Sequence, residues 1–155
     1  MQDSMLGRFC LLKLDELIEA VAVLDDLCAN ALPDVPGANS AYQLLTHCLG
    51  MLTQWTRADI LGQSVSRDRD TEFTSSGSVE ALIDRARAVR EQFAHDLGRI
   101  DPDRPVAGRE HRTEFWATCA EGILLHVLEE LCQHLGHLEM TRDVIAASAP
   151  SGQPD

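Results

Sequence analysis

Leu124, Leu128, Leu131, Leu135 and Leu138 recur at intervals of four, three, four and three residues. That spacing commits the last part of the chain to one helix with a packing seam along its length. The same period recurs upstream. Leu14, Leu17, Val21, Leu24 and Cys28 predict a first helix over about 9–30, stopped by Pro33 and Pro36. Leu45, Cys48, Leu52 and Trp55 predict a second, entered at Asn39 and Ser40, which can cap it, and running to about Gly62. Val79, Leu82, Ala86, Val89, Phe93 and Leu97 follow Ser78 and predict a third over about 78–98, ended by Gly98. The fourth runs from about Glu114 to Ile145, after the turn-rich connection at about 101–108. No stretch alternates with period two, so the expected fold is an all-α four-helix bundle. Residues 63–77 form its long crossover between helices 2 and 3. Residues 1–145 read as one domain, and 146–155, with two prolines, one glycine and two serines, as a disordered tail.

A chain of 155 residues is long enough to bury a real core without disulfides. Its five cysteines are odd in number and form no CxxC pair, and they read as reduced, mostly buried small hydrophobes. A net charge of -12 argues against nucleic acid as a partner, since phosphate binding needs a dense basic surface. No apolar run reaches the roughly 18 residues that span a bilayer. The Met-Gln-Asp-Ser opening lacks a basic segment followed by an apolar one. The expectation is a cytoplasmic protein that engages no membrane.

Helix four carries a second stripe. At roughly 100° per residue, His126, Glu130, His134 and His137 fall within about 80° of one another. A carboxylate and an imidazole one turn apart can close on one divalent ion. His126 with Glu130 and Glu130 with His134 both satisfy that spacing. The Glu130/His134 line lies about 100° from the leucine seam, at the border of the core, where a merely solvated polar edge would show the same pattern. His47, flanked by Leu44 and Met51, likewise sits at the margin of an apolar arc. A lone histidine there is more often a hydrogen-bonded structural residue than a ligand. Two helices that each offer metal-competent groups at the edge of their packing faces can nevertheless meet at one mouth of the bundle.

Asn39-Ser-Ala-Tyr-Gln-Leu-Leu-Thr-His47, then Arg67-Asp-Arg-Asp-Thr-Glu-Phe73, then His126-Val-Leu-Glu-Glu-Leu-Cys-Gln-His134-Leu-Gly-His137 and Thr141-Arg142 resemble the DinB-like metal-binding superfamily. Within it, the chain is similar to the branch related to mycothiol-dependent maleylpyruvate isomerases and mycothiol S-transferases. The resemblance covers residues of about 9–145 and implies a DinB-like bundle. Much of the superfamily places His-x3-His late in the last helix. Here Glu130-x3-His134 stands instead, as in the isomerase branch. The resemblance implies that His47, Glu130 and His134 ligate a divalent ion, Zn²⁺ first, with Ni²⁺ or Fe²⁺ as alternatives. His137 falls where many relatives carry Gln, which implies a supporting role or a substrate contact.

Two neutral imidazoles and one carboxylate leave an ion with net charge near +1 and an open position, the arrangement of a catalytic site. A thiol entering that position loses its proton and is held ready to attack. The expected activity is a metal-dependent S-transferase joining a low-molecular-weight thiol, mycothiol by resemblance, to a small electrophile. Arg67 and Arg69 are candidates for the thiol's carboxylate or sugar oxygens, against a solvated pair balanced by Asp68 and Asp70. Trp55 is a candidate pocket wall, although an aromatic at that spacing is more often core, and His126 is a candidate for substrate contact or support of the ligands. The alternatives are a mycothiol-dependent isomerase, for whose additional C-terminal domain 155 residues leave no room, a hydrolase using metal-activated water, and a non-catalytic metal-binding homodimer. In the last of these the leucine seam would serve the dimer.

Overall fold

The computed structural model describes residues 1–103, 105–107 and 113–148. The elements are α1 (Met5–Ala22), α2 (Asp26–Asn30), α3 (Ala41–Thr53), a π-helical continuation π1 (Gln54–Ile60), α4 (Arg69–Glu72), α5 (Val79–Arg99) and α6 (Ala120–Ser148). Among the described residues there is no strand, only an isolated bridge between Pro105 and Cys119. This is the expected all-α, DinB-like fold. Of the four long helices, α1 and α3 each pack against both α5 and α6. The contact of α3 with α6 is what brings residues 47 and 134 together.

The leucine seam is spent inside the chain. Leu124, Leu131 and Leu138 are fully buried, Leu135 nearly so and Leu128 half so, in one cluster with Leu14, Leu17, Leu45 and Phe93. That corrects the reading in which the seam serves a dimer. Leu131→Ala should therefore cost about 2–5 kcal/mol, read as a lower denaturant midpoint at unchanged slope.

The first predicted helix is two. Residues 23–25 interrupt it, because the Asp25 carboxylate accepts the Cys28 N–H at 2.7 Å and starts a new turn, so a local aspartate bond outcompetes continuation. α3 begins with a reciprocal cap: the Ser40 hydroxyl accepts the Gln43 N–H while the Gln43 side chain accepts the Ser40 N–H. After Thr53 the helix widens, and the Leu61 N–H reaches back five residues to the Thr56 carbonyl. Gly62, at φ +69°, adopts the left-handed turn that ends it.

The crossover carries the short α4, capped by Asp68, whose carboxylate accepts the N–H groups of Asp70 and Thr71. α5 runs through Gly98 to Arg99 rather than ending at the glycine. α6 begins at Ala120, not Glu114. Residues 115–118 fold as turns, and the Trp116 carbonyl lies so close over Gly122 that any Cβ there would collide with it.

At the far end α6 continues to Ser148, three residues into the expected tail, whose remaining residues lie outside the described ones. All five cysteines are free, but only Cys10 and Cys48 are buried. Cys28 and Cys119 are half-buried and Cys132 is exposed, so "mostly buried" is corrected. Among the described residues no helix is long and apolar enough to cross a membrane.

Candidate metal centre

α3 contributes His47 and α6 contributes Glu130 and His134, and one donor atom from each lies within 4.8 Å of the other two. The two imidazoles meet edge to face, with centroids 4.8 Å apart at 67°. Glu130 Oε2 stands 3.5 Å from His134 Nε2. His47 is buried, while Glu130 and His134 are half-buried, so the group is closed on one side and open on the other. Small side-chain rotations suffice to draw such a set to the roughly 2.0–2.2 Å bonds of a divalent ion. Burial pushes His47 below the ordinary histidine range, against an opposing pull from Glu72. Burial does the same to His134, and the nearby His47 adds to it. Both rings therefore stay neutral near pH 7 and keep the lone pair a cation needs.

Behind His47 stands a residue to which the sequence reading assigned no role. Glu72 Oε2 lies 2.9 Å from His47 Nδ1. Arg67 clamps the same carboxylate with two bonds, Nε to Oε1 at 2.7 Å and a terminal nitrogen to Oε2 at 2.8 Å. Burial by itself would raise the Glu72 carboxyl, but the Arg67 and His47 hydrogen bonds outweigh it and hold the group below its usual range. An ionised carboxylate only accepts, so Nδ1 carries the imidazole proton and Nε2 is the free donor atom. The approach requires Gly50, because a Cβ at that position of α3 would overlap Glu72 Oε1. Phe73 packs on the His47 ring at 4.6 Å, and the Arg69 guanidinium lies 5.4 Å from the Phe73 centroid.

A cleft of about 490 Å³ opens beside these residues, with His47, Glu130, Trp55, His126, Arg67 and Arg69 in its lining. His126 is outside the donor cluster. Its Nε2 is 3.8 Å from Glu130 Oε1 and its Nδ1 is 3.2 Å from Glu129 Oε2. Trp116 stacks on its ring at 3.8 Å and Trp55 meets it edge-on at 5.4 Å. Trp55 is half-buried, packs against the core and also lines the cleft. His137 is exposed, its ring 6.5 Å from that of His134, and it lines no part of the cleft. Arg67, a candidate for holding the thiol, has its guanidinium engaged by Glu72, whereas Arg69 is exposed at the rim. His111 lies outside the described residues. Glu72, Gly50, Phe73 and Trp116 are the contributors that helical periodicity did not single out. The one available signal was the 67–73 segment itself, an Arg and a Glu five residues apart on a crossover.

Comparison with protein families matches residues 12–147 to the family described as MST: Mycothiol-S-transferase. Comparison with curated proteins and with solved structures finds no match.

Proposed function

The chain belongs to the mycothiol S-transferase family, and we propose that it is a divalent-metal-dependent S-transferase that joins mycothiol to a small electrophile in the cleft beside His47, Glu130 and His134. The supporting observation is the convergence of three donor groups from two helices, two of which, His47 and Glu130, line an open cleft. An N₂O donor set suits Zn²⁺. When bound, such an ion supplies Lewis acidity that brings a thiol far below its free pKa of about 8.5.

The protein's own residues do the rest. Glu72, fixed by Arg67, holds the His47 proton on Nδ1 and keeps Nε2 aimed away from it. Trp55 and His126, backed by Trp116, wall one side of the cleft and reduce the water that competes with sulfur for the acceptor. Arg69, with no acidic partner among the described residues, adds positive potential where sulfur must lie as an anion. In the transfer the sulfur lone pair forms a bond to the acceptor carbon. The bond from that carbon to its leaving group (chloride in a chloroarene) breaks, the leaving group departs with the electron pair, and the thiol proton passes to solvent.

Incubating the metal-loaded protein with 1-chloro-2,4-dinitrobenzene and, in parallel, mycothiol, glutathione, bacillithiol or no thiol tests this by mass spectrometry. A conjugate with mycothiol that disappears after chelation is expected. No conjugate above the uncatalysed level with any thiol refutes the reading, and metal-dependent turnover without thiol replaces it with hydrolysis.

A further inference from the structure

Asp96 is the one charged residue that α5 buries, and it is as completely enclosed as its neighbour Leu97. A buried carboxyl is tolerated where its oxygens are hydrogen-bonded, and only one of these two is. The Gln92 amide donates to Oδ1 at 3.0 Å, whereas Oδ2, with almost no exposed surface, has no hydrogen-bond partner among the described residues. The groups around it do not fill the gap. Arg57 Nε stands 3.7 Å from Oδ2, too far to bond, because its N–H goes to Gln63 Oε1 at 2.9 Å. Arg99 and His95 approach Oδ1 instead, at 3.7 and 3.6 Å. The Thr56 hydroxyl spends its proton on the Leu52 carbonyl at 2.7 Å.

Asp96 borders a cavity of about 270 Å³ whose lining comes from α3, π1 and α5. Leu52, Val89 and Phe93 give it apolar walls, and the exposed Ala88 belongs to its lining. It shares no lining residue with the metal cleft. A cavity of roughly 150 Å³ holds benzene, so this one has room for a single ring and its substituent.

Two features define an occupant. The apolar walls select an apolar body, and the unmet buried acceptor selects a hydrogen-bond donor, because satisfying it removes the penalty of leaving it bare. Arg57 and Arg99 already surround the carboxyl with positive charge, so a neutral hydroxyl or N–H suits it better than an ammonium. We infer that this cavity binds a small neutral apolar molecule carrying one such donor, a phenol being the simplest, with the donor on Asp96 Oδ2. The Arg57 side chain, 39% exposed, is the neighbour that shifts outward to admit it. This site goes beyond the S-transferase reading and rests on none of the residues that carry it.

The test is an amide NMR titration of the metal-loaded protein with phenol, and in parallel with anisole, which keeps the ring and loses the donor. Phenol should give saturable shifts at Thr56, Val89, Gln92 and Asp96 and bind at least tenfold more tightly than anisole. Ala88→Trp fills the cavity from an exposed position and should abolish those shifts, with metal content and spectral dispersion at parental values. Asp96→Leu should bring the two probes to equal affinity; if that variant does not fold, the comparison of phenol with anisole on the parent protein decides alone. Absence of saturable shifts at these residues, anisole binding as tightly as phenol, or shifts that Ala88→Trp leaves unchanged would overturn the inference. Phenol shifts confined to Trp55 and His126 would place the probe in the metal cleft and overturn it equally. The titration needs no turnover, so failure of the conjugation assay and failure here are distinct results.

Discussion

His134→Ala, purified without added metal, should fall from about one transition-metal ion per chain to near none by elemental analysis, and thiol conjugation should fall with it. The substitution leaves His47 and Glu130, a two-donor set where catalytic sites of this type use three protein ligands. The fold should survive, because His134 is half-buried at the edge of a core whose centre lies along Leu131, Leu135 and Leu138. Loss of metal can thus be read apart from unfolding. His95→Ala is the matched control, since that side chain is 68% exposed and touches Asp96 rather than the centre. His126→Ala should also keep the ion, being outside the cluster, while removing the ring on which Trp116 stacks. Full occupancy in His134→Ala would end the ligand assignment, whatever the enzyme assays show.

The helices were legible because burial imposes a 3.6-residue period on the residues that face the core. Leu124, Leu131 and Leu138 announce α6, and Val79, Leu82 and Phe93 announce α5, independently of everything else in the chain. Interruptions were not, because each is decided by a local competition that the period ignores. Asp25 caps a new turn inside an otherwise continuous apolar pattern, and the π-helical turns after Thr53 shift the angular position of Trp55 by an amount no 100° wheel contains. The centre divides the same way. His47, Glu130 and His134 were visible as polar groups at the margins of packing faces, since helical geometry fixes those angles. Three residues beyond His134, His137 is turned about 60° around the axis, and in the structure it faces solvent. Glu72 could not be placed that way. It sits 25 residues from His47 on a crossover, and its direction is set by Arg67 and by the space above Gly50, all of it tertiary.

Gly50→Ala exposes that tertiary support most sharply, because local and long-range effects have opposite signs. In a helix interior alanine is favoured over glycine by about 1 kcal/mol, so α3 considered alone would gain. The added methyl, however, falls on Glu72 Oε1. Glu72 must withdraw, which releases His47 Nδ1 and strips Arg67 of both its bonds at a site where the two side chains are only 7% and 16% exposed. Breaking a buried pair costs roughly 3–5 kcal/mol, so the net should be a loss of about 2–4 kcal/mol by denaturant titration. Losing the group that orients a ligating imidazole should weaken metal binding by about 10–100-fold as well, measured by competition with a chromogenic chelator. Glu72→Gln, which keeps the size but not the charge, should show the affinity loss without the steric strain. A double-mutant cycle isolates the cause. In a Glu72→Ala background the obstacle is gone, and adding Gly50→Ala should become neutral or stabilising by up to about 1 kcal/mol. If the single variant were instead as stable and as metal-loaded as the parent, Glu72 would have room to step aside while still holding His47, and the close packing against α3 would not be what fixes the imidazole.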